Sequence, residues 1–204
     1  MLKLSRQPGG QPEIFHSLQG EGATIGVATV FLRLSLCNLS CSWCDTKYTW
    51  DWENYDYKKE VIALDTEQVR EKILSYECPH LVVTGGEPLL QLDEDLIDAF
   101  HGGGFEVAVE TNGTLSASPG LDWICVSPKA GTELTLLRGD ELKLVYPQQG
   151  ATPEMYENLD FRHFLRQPMD GEAVEENTRL VVEYCLAHPG WRLSLQTHKF
   201  LGIP

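Results

Sequence analysis

The chain has 204 residues, 42% of them apolar and 23% charged, with 16 Lys and Arg against 30 Asp and Glu for a formal net charge of −14. This composition is that of a globular protein and excludes a disordered or fibrous chain; the length suffices for one domain with a sizeable core. The acidic balance argues against wrapping a nucleic-acid backbone, which needs a basic face, and no apolar run approaches the roughly 20 residues that span a bilayer. Met1–Gln11 also lacks the apolar stretch of a signal peptide. A cytoplasmic protein with neither membrane nor nucleic acid as partner is therefore expected.

Apolar runs with strand character recur along the chain, each followed by turn residues. Residues 28–36 end at the first cysteine. Asp45–Lys59, aromatic and charged without clean periodicity, reads as an inserted loop. Asp65-Thr66 then precedes a helical pattern over 67–76, with Val69, Ile73 and Leu74 at helical spacing. A strand at 80–83 runs into Thr84-Gly-Gly-Glu-Pro88, and a second helix over 92–100 stops at Gly102-Gly-Gly104. Further strands at 105–110, 121–126, 141–146 and 161–165 lead into ETNG, SPK, Pro147 and QPMD. A third helix over 173–187 precedes a last strand at 191–195 and the tail 196–204, apolar over 200–204. Alternating strands and helices imply parallel β/α units. Too few helices are present for eight units, so the expected fold is α/β, a partial, modified (β/α) barrel in a single domain over 1–204. The polar clusters all follow strands, and in parallel β/α folds the carboxyl edge of the strands is where ligand sites are built.

Six cysteines are present. Cys78, Cys125 and Cys185 are scattered through apolar segments and read as small buried hydrophobes. Cys37, Cys41 and Cys44 crowd into one C-x3-C-x2-C loop, and in a cytosolic chain such clustering points to metal or redox chemistry. Thiolates suit iron–sulfur clusters or zinc. Structural zinc normally closes a tetrahedron with four protein ligands, and no second knuckle exists here. Three ligands would leave one iron of a 4Fe–4S cluster open to a non-protein ligand, whereas electron carriers ordinarily use four cysteines.

The cysteine motif with Trp43 before its last member, followed after the next strand by Gly85-Gly86-Glu87-Pro88, resembles the radical S-adenosylmethionine superfamily. The segment 13–22 (EIFHSLQGEG), Cys44-Asp45-Thr46, Ser127–Lys129, Gln167–Asp170 and the ending 195–204 (LQTHKFLGIP) are together similar to the 7-carboxy-7-deazaguanine synthases within it. The resemblance spans Glu13 to Pro204. It implies ring contraction of 6-carboxy-5,6,7,8-tetrahydropterin to 7-carboxy-7-deazaguanine with loss of ammonia, in 7-deazapurine (queuosine) biosynthesis. S-adenosylmethionine would serve as a reusable cofactor, assisted by magnesium.

On that resemblance Cys37, Cys41 and Cys44 hold the 4Fe–4S cluster and Thr46 is a magnesium ligand, a hard oxygen donor of the kind magnesium takes. Gly86 and Glu87 face the methionine end of S-adenosylmethionine. Ser127, Pro128, Lys129, Gln167, Pro168, Met169 and Asp170 hold its adenosine part. Leu18, Gln19, Gly20, Glu21, Thr84, His198 and Pro204 contact the pterin. Arg33, between Leu32 and Leu34, is the candidate for the substrate carboxylate, because an arginine there is costly unless paired and guanidinium meets carboxylate bidentately. No protein side chain is assigned as catalytic, since the radical arises at the cofactor. The expected partners are a flavodoxin or ferredoxin-type reductant and a second copy in a homodimer. Two other readings stay open on sequence: an activase that installs a glycyl radical on a partner protein, and a non-enzymatic iron–sulfur carrier or zinc module. His16, His80, His101, His163 and His188 carry only ordinary structural readings.

Overall fold

The computed structural model describes residues 1–204, which gather into two compact units. The first comprises Met1–Ser17, Ala28–Thr111 and Ala117–Trp123; the second comprises Leu18–Val27, Asn112–Ser116 and Ile124–Pro204.

The first unit is built from β1 (Leu2–Ser5), β2 (Ile14–Leu18), β3 (Ala28–Leu34), α1 (Tyr57–Glu60), β4 (Val61–Leu64), α2 (Thr66–Leu74), β5 (His80–Gly85), α3 (Glu94–His101) and β6 (Glu106–Thr111). Its strand order is β4-β1-β3-β5-β6, with β2 also paired to β3. β3, β5 and β6 run parallel, while β1 is antiparallel to both β3 and β4. Leu81, Val82 and Val83 are all buried, the continuous apolar run of a strand covered on both faces. Asp65 and Gln68 close a capping box at the start of α2. Asp93 caps α3, which turns Leu96, Ile97 and Phe100 inward at helical spacing.

The second unit contains β7 (Trp123–Val126), β8 (Arg138–Tyr146), β9 (Asp160–Pro168), α4 (Val174–Ala187), β10 (Trp191–Leu193) and α5 (Thr197–Leu201). β7, β8, β9 and β10 are parallel neighbours in sequence order. Val126, Leu142, Leu144, Phe161 and Trp191 form its core with Ala151 and Tyr156, and Phe164, Tyr184 and Cys185 pack against them.

The α/β architecture and the main strands agree with expectation; the strand order of the first unit ends at β4 and that of the second at β10. The differences are local. β1, β2 and β4 are only four or five residues long, too short to stand out in the sequence, and are held as strands by pairing, β1 and β2 on β3 and β4 on β1. The supposed turn at Gln167-Pro168 is the end of β9, where Pro168 stands opposite Tyr146 of β8. The tail holds the short helix α5 rather than loop alone. Asp45–Lys59 contains a 3-10 turn (Lys47–Thr49) and all but the last residue of α1. Cys78 and Cys125 are buried, but Cys185 on α4 is only half-buried, because a helix covering one face of a sheet keeps its flanks in water. No helix is long and apolar enough to cross a membrane.

Candidate active site

In the first unit, the carboxyl ends of β3, β5 and β6 present the cysteine loop, the Gly-Gly-Glu-Pro segment and Glu110-Thr111 on one sheet edge. The backbone leaves β3 through Leu36, the one non-glycine residue with positive φ, at 79°. That left-handed conformation is costly for leucine. It is held by the Leu36 amide donating to Thr49 O at 2.7 Å and Leu36 O accepting from the Glu87 amide at 2.8 Å. The strained residue thus sits immediately before Cys37.

The glycines of the next segment are required by proximity. A Cβ on Gly85 (φ 128°) would stand 1.9 Å from Leu34 O, and one on Gly86 would stand 2.1 Å from Leu36 O and 3.2 Å from Cys37 Cβ. Glu87 is wholly buried, its Oε1 accepting from Thr111 Oγ1 at 2.7 Å and from the Leu89 amide at 2.9 Å. The structure therefore places Glu87 as the tie between this segment and the end of β6, beside the cysteine loop.

The loop itself is irregular. Cys44 Sγ accepts from Trp50 Nε1 at 3.4 Å and lies 3.5 Å from Thr46 Oγ1, and Cys37 Sγ accepts from the Leu39 amide at 3.4 Å. Burial, assisted by the nearby Glu87, Cys41 and Cys44, pushes the Cys37 thiol up to about 11. No three acidic, His or Cys side chains already encircle one point. The fit to a 4Fe–4S cluster rests on the donor set: three soft sulfurs on one short loop, with N–H donors aimed at two of them, as thiolate ligands require. The hydroxyl of Thr46 adds a hard oxygen beside them.

Arg33 on β3 stands opposite Thr84 on β5, and Thr84 Oγ1 donates to Glu110 Oε2 of β6 at 3.4 Å. These three polar residues form a row across successive strands. Arg33 is paired, its Nε donating to Glu13 Oε1 at 2.8 Å, and Tyr48 OH reaches both oxygens of that carboxylate at 3.1 Å.

The second unit gathers the remaining candidates. Leu18–Val27 closes on itself through Gln19 N to Val27 O at 2.8 Å and Gly26 N to Gln19 O at 2.7 Å. Glu21 is ion-paired with Lys143 of β8, whose side chain is almost inaccessible, and accepts from Gln196 Nε2 at 2.8 Å. Burial alone would raise the Glu21 carboxyl, but the adjacent Lys143 ammonium and hydrogen bonds from Lys143, Gln196 and Gln167 hold it down at about 2. The Gly22 amide donates to Ser194 Oγ at 3.0 Å, which in turn donates to Gln167 Oε1 at 2.8 Å, and the Ala23 amide donates to Glu141 Oε2 at 2.7 Å. The tail docks on the same loop, the Thr197 amide donating to Gly20 O at 2.9 Å.

Gly20 is needed there, because a Cβ would lie 2.2 Å from His198 Nδ1. Gly20→Ala is accordingly expected to lift the tail off the loop. Hydrogen exchange at the Thr197 amide should speed up by about tenfold or more, equivalent to losing ~1.4 kcal/mol of local stability; unchanged protection would contradict this account of the contact.

The two adenosine candidates are fixed from behind. Lys129 Nζ donates to Ser127 Oγ at 2.7 Å, while Gln148 spans their loop by donating to Pro128 O and Val145 O and accepting from the Ala130 amide. Met169 is held on both sides, its amide donating to Tyr146 O and its carbonyl accepting from Asn177 Nδ2 on α4. Asp170 takes Lys199 Nζ at 2.7 Å, and that hydrogen bond holds its carboxyl below the usual range. Pro204 follows Ile203, whose amide donates to His198 O at 3.2 Å.

Sequence reasoning missed Glu13, Tyr48, Glu110, Glu141, Lys143, Gln148 and Ser194. Glu110 belongs to the ETNG cluster at the end of a strand, to which the sequence attaches no role. For Lys143 and Glu141, charges inside an apolar strand run were the signal available.

A family model described as the Radical SAM superfamily matches residues 33–143. The 7-carboxy-7-deazaguanine synthase of Bradyrhizobium diazoefficiens is 53% identical, with 94% of this chain and 97% of that one covered. Those of Caulobacter vibrioides and Bordetella pertussis are 50% and 49% identical over the same shares. Among solved structures, QueE from Escherichia coli aligns with a TM-score of 0.74 at 32% identity, covering 95% of this chain and 93% of that one.

Proposed function

Since the chain belongs to the 7-carboxy-7-deazaguanine synthases of the radical S-adenosylmethionine superfamily, we propose that it contracts the ring of 6-carboxy-5,6,7,8-tetrahydropterin to 7-carboxy-7-deazaguanine with release of ammonia. The observation that carries this reading is the cysteine loop pressed against Gly85-Gly86-Glu87 on adjoining parallel strands, which pairs a soft-metal site with a backbone that only glycine permits. When bound, a 4Fe–4S cluster held by Cys37, Cys41 and Cys44, together with S-adenosylmethionine, would supply the radical chemistry that the side chains of this protein cannot.

The residues of the chain bind, orient and exclude water. Cys37, Cys41 and Cys44 would hold the cluster, and Thr46 would offer a hard oxygen to magnesium. Gly86 brings backbone close to the methionine moiety, and buried Glu87 keeps that backbone in place. Ser127–Lys129 and Gln167–Asp170 receive the adenosine. Arg33 meets the substrate carboxylate, supplying locally the positive charge that a chain at −14 lacks overall. Thr84, Leu18, Gln19, Gly20, Glu21, His198 and Pro204 contact the pterin. A flavodoxin or ferredoxin-type protein delivers the electron, the working form is a homodimer, and the protein resides in the cytoplasm, where its thiols stay reduced.

The test is anaerobic turnover of the reconstituted protein with S-adenosylmethionine, reductant, magnesium and the carboxypterin, followed by mass. The expected product is 7-carboxy-7-deazaguanine, lost with Cys41→Ala. Cleavage to 5′-deoxyadenosine without deazaguanine would keep the superfamily and overturn the substrate.

A further inference from the structure

Arg33 is fixed by more than a strand position. Its amide donates to Glu13 O at 3.1 Å while its Nε donates to Glu13 Oε1 at 2.8 Å, so the same residue grips its backbone and its side chain. Glu13 is in turn gripped by Tyr48, whose hydroxyl reaches both carboxylate oxygens at 3.1 Å. Both members of the ion pair are largely shielded, at 20% and 14% side-chain exposure, which keeps water from competing for their geometry. Tyr48 is no floating surface ring either. It lies in the 3-10 turn Lys47–Thr49, where the Thr49 amide and hydroxyl both donate to Thr46 O, and Thr49 O accepts from Leu36 at the exit of β3.

The chemistry of a guanidinium makes this arrangement directional. It has two donor edges, one through Nε and one through the two terminal nitrogens. Glu13 engages Nε, and the terminal pair, with two parallel N–H donors, is the edge by which a guanidinium held in this way can take a second carboxylate bidentately. A neighbouring Glu would also weaken the attraction of Arg33 for an anion. The Tyr48 hydroxyl, by donating to both Glu13 oxygens, draws that negative charge away from the guanidinium. We propose that Glu13 and Tyr48 are positioning residues which set Arg33 to receive the substrate carboxylate, so that the turn just beyond the third cysteine takes part in choosing carboxylated over uncarboxylated pterins. This rests on the proposed role of Arg33, and the experiment separates the two.

The probes are 6-carboxy-5,6,7,8-tetrahydropterin as substrate and 5,6,7,8-tetrahydropterin as competitive inhibitor, with cluster-loaded wild type, Tyr48→Phe, Glu13→Gln and Arg33→Gln. Equilibrium dialysis of the carboxypterin without S-adenosylmethionine supplies a readout apart from turnover. Arg33→Gln is expected to abolish the preference for the carboxylated ligand. Tyr48→Phe should raise KM and Kd for the carboxypterin about fivefold, the worth of one hydrogen bond in a charged network. Its kcat should fall less than KM rises, and Ki for the uncarboxylated pterin should not move. Glu13→Gln should act in the same direction and more strongly, and Tyr48→Phe, which removes one hydroxyl, carries the test if Glu13→Gln does not fold. Arg33→Gln with its preference intact overturns the role of Arg33 and this inference together. Arg33→Gln without preference, but Tyr48→Phe with full preference, overturns this inference alone. Equal weakening toward both pterins assigns Glu13 and Tyr48 to structure and overturns it as well.

Discussion

Lys143→Met should cost about 3–5 kcal/mol of stability at neutral pH, because it leaves the buried Glu21 carboxylate without its counter-charge. The lost interaction has a defined acid limb. Glu21 titrates at about 2 rather than at 4.5, so its pairing stabilises the folded chain fully above 4.5 and is lost as pH falls through about 2. The gap between wild type and Lys143→Met, measured by urea unfolding, is therefore widest near pH 7 and narrows between pH 4.5 and 2. Adding Glu21→Gln to Lys143→Met should recover most of the stability, since no unpaired charge is then buried. Turnover should fall by about 100-fold in the single variant, as the 18–22 loop loses its register by a fraction of a bond length. A pH-independent gap would show that the pair is not what holds this loop.

Gly86→Ala should abolish activity through iron loading. A methyl group there meets Leu36 O at 2.1 Å, and a carbonyl in the backbone cannot rotate aside as a side chain can. The relief available is displacement of Leu36, already at φ 79°, together with Cys37. The expected variant keeps its far-ultraviolet circular dichroism, binds less than half the wild-type iron after reconstitution, and cleaves S-adenosylmethionine more than about 100-fold more slowly. Gly85→Ala is harsher. Its Cβ lies 1.9 Å from Leu34 O at φ 128°, and the loss should exceed about 4 kcal/mol, enough to prevent folding. Full iron content and wild-type turnover in Gly86→Ala would refute this account of the close approach.

Sequence alone revealed the elements whose signal is local. The runs at 80–83 and 141–146 are apolar enough to be strands wherever they fall, and Asp65-Thr66 marks the start of α2 to within a residue. The cysteine loop and its glycine partner were legible because covalent spacing and glycine both leave marks in the string. What was hidden depends on distant partners. Lys143 in a strand reads as a solvent-facing charge until Glu21, 122 positions earlier, is placed beside it. Glu13 reads as part of a motif, and its hold on Arg33 follows only from the backbone pairing of those two segments. Gln148 lies after a strand, yet its amide binds the loop twenty positions before it. β1 and β4, four residues each, are too short to be read alone and are strands by their pairing with each other.

The loop at Leu18–Val27 has a timetable as well as a position. It is made early, but its anchors are made late: Lys143 follows Glu21 by 122 residues, Ser194 follows Gly22 by 172, and Gln196 follows Glu21 by 175. At a synthesis rate of about 5–20 residues per second, the loop waits on the order of ten to thirty seconds for its last partner. During that interval Gln19 and Val27 can close the segment on itself, but Glu21 has no counter-charge until Lys143 is made and the Gly22 amide has no Ser194 to receive it. Completion of this loop therefore waits on residues 194–196: a chain halted before residue 194 has its cysteine loop already made, while its 18–22 segment lacks the Ser194 and Gln196 contacts.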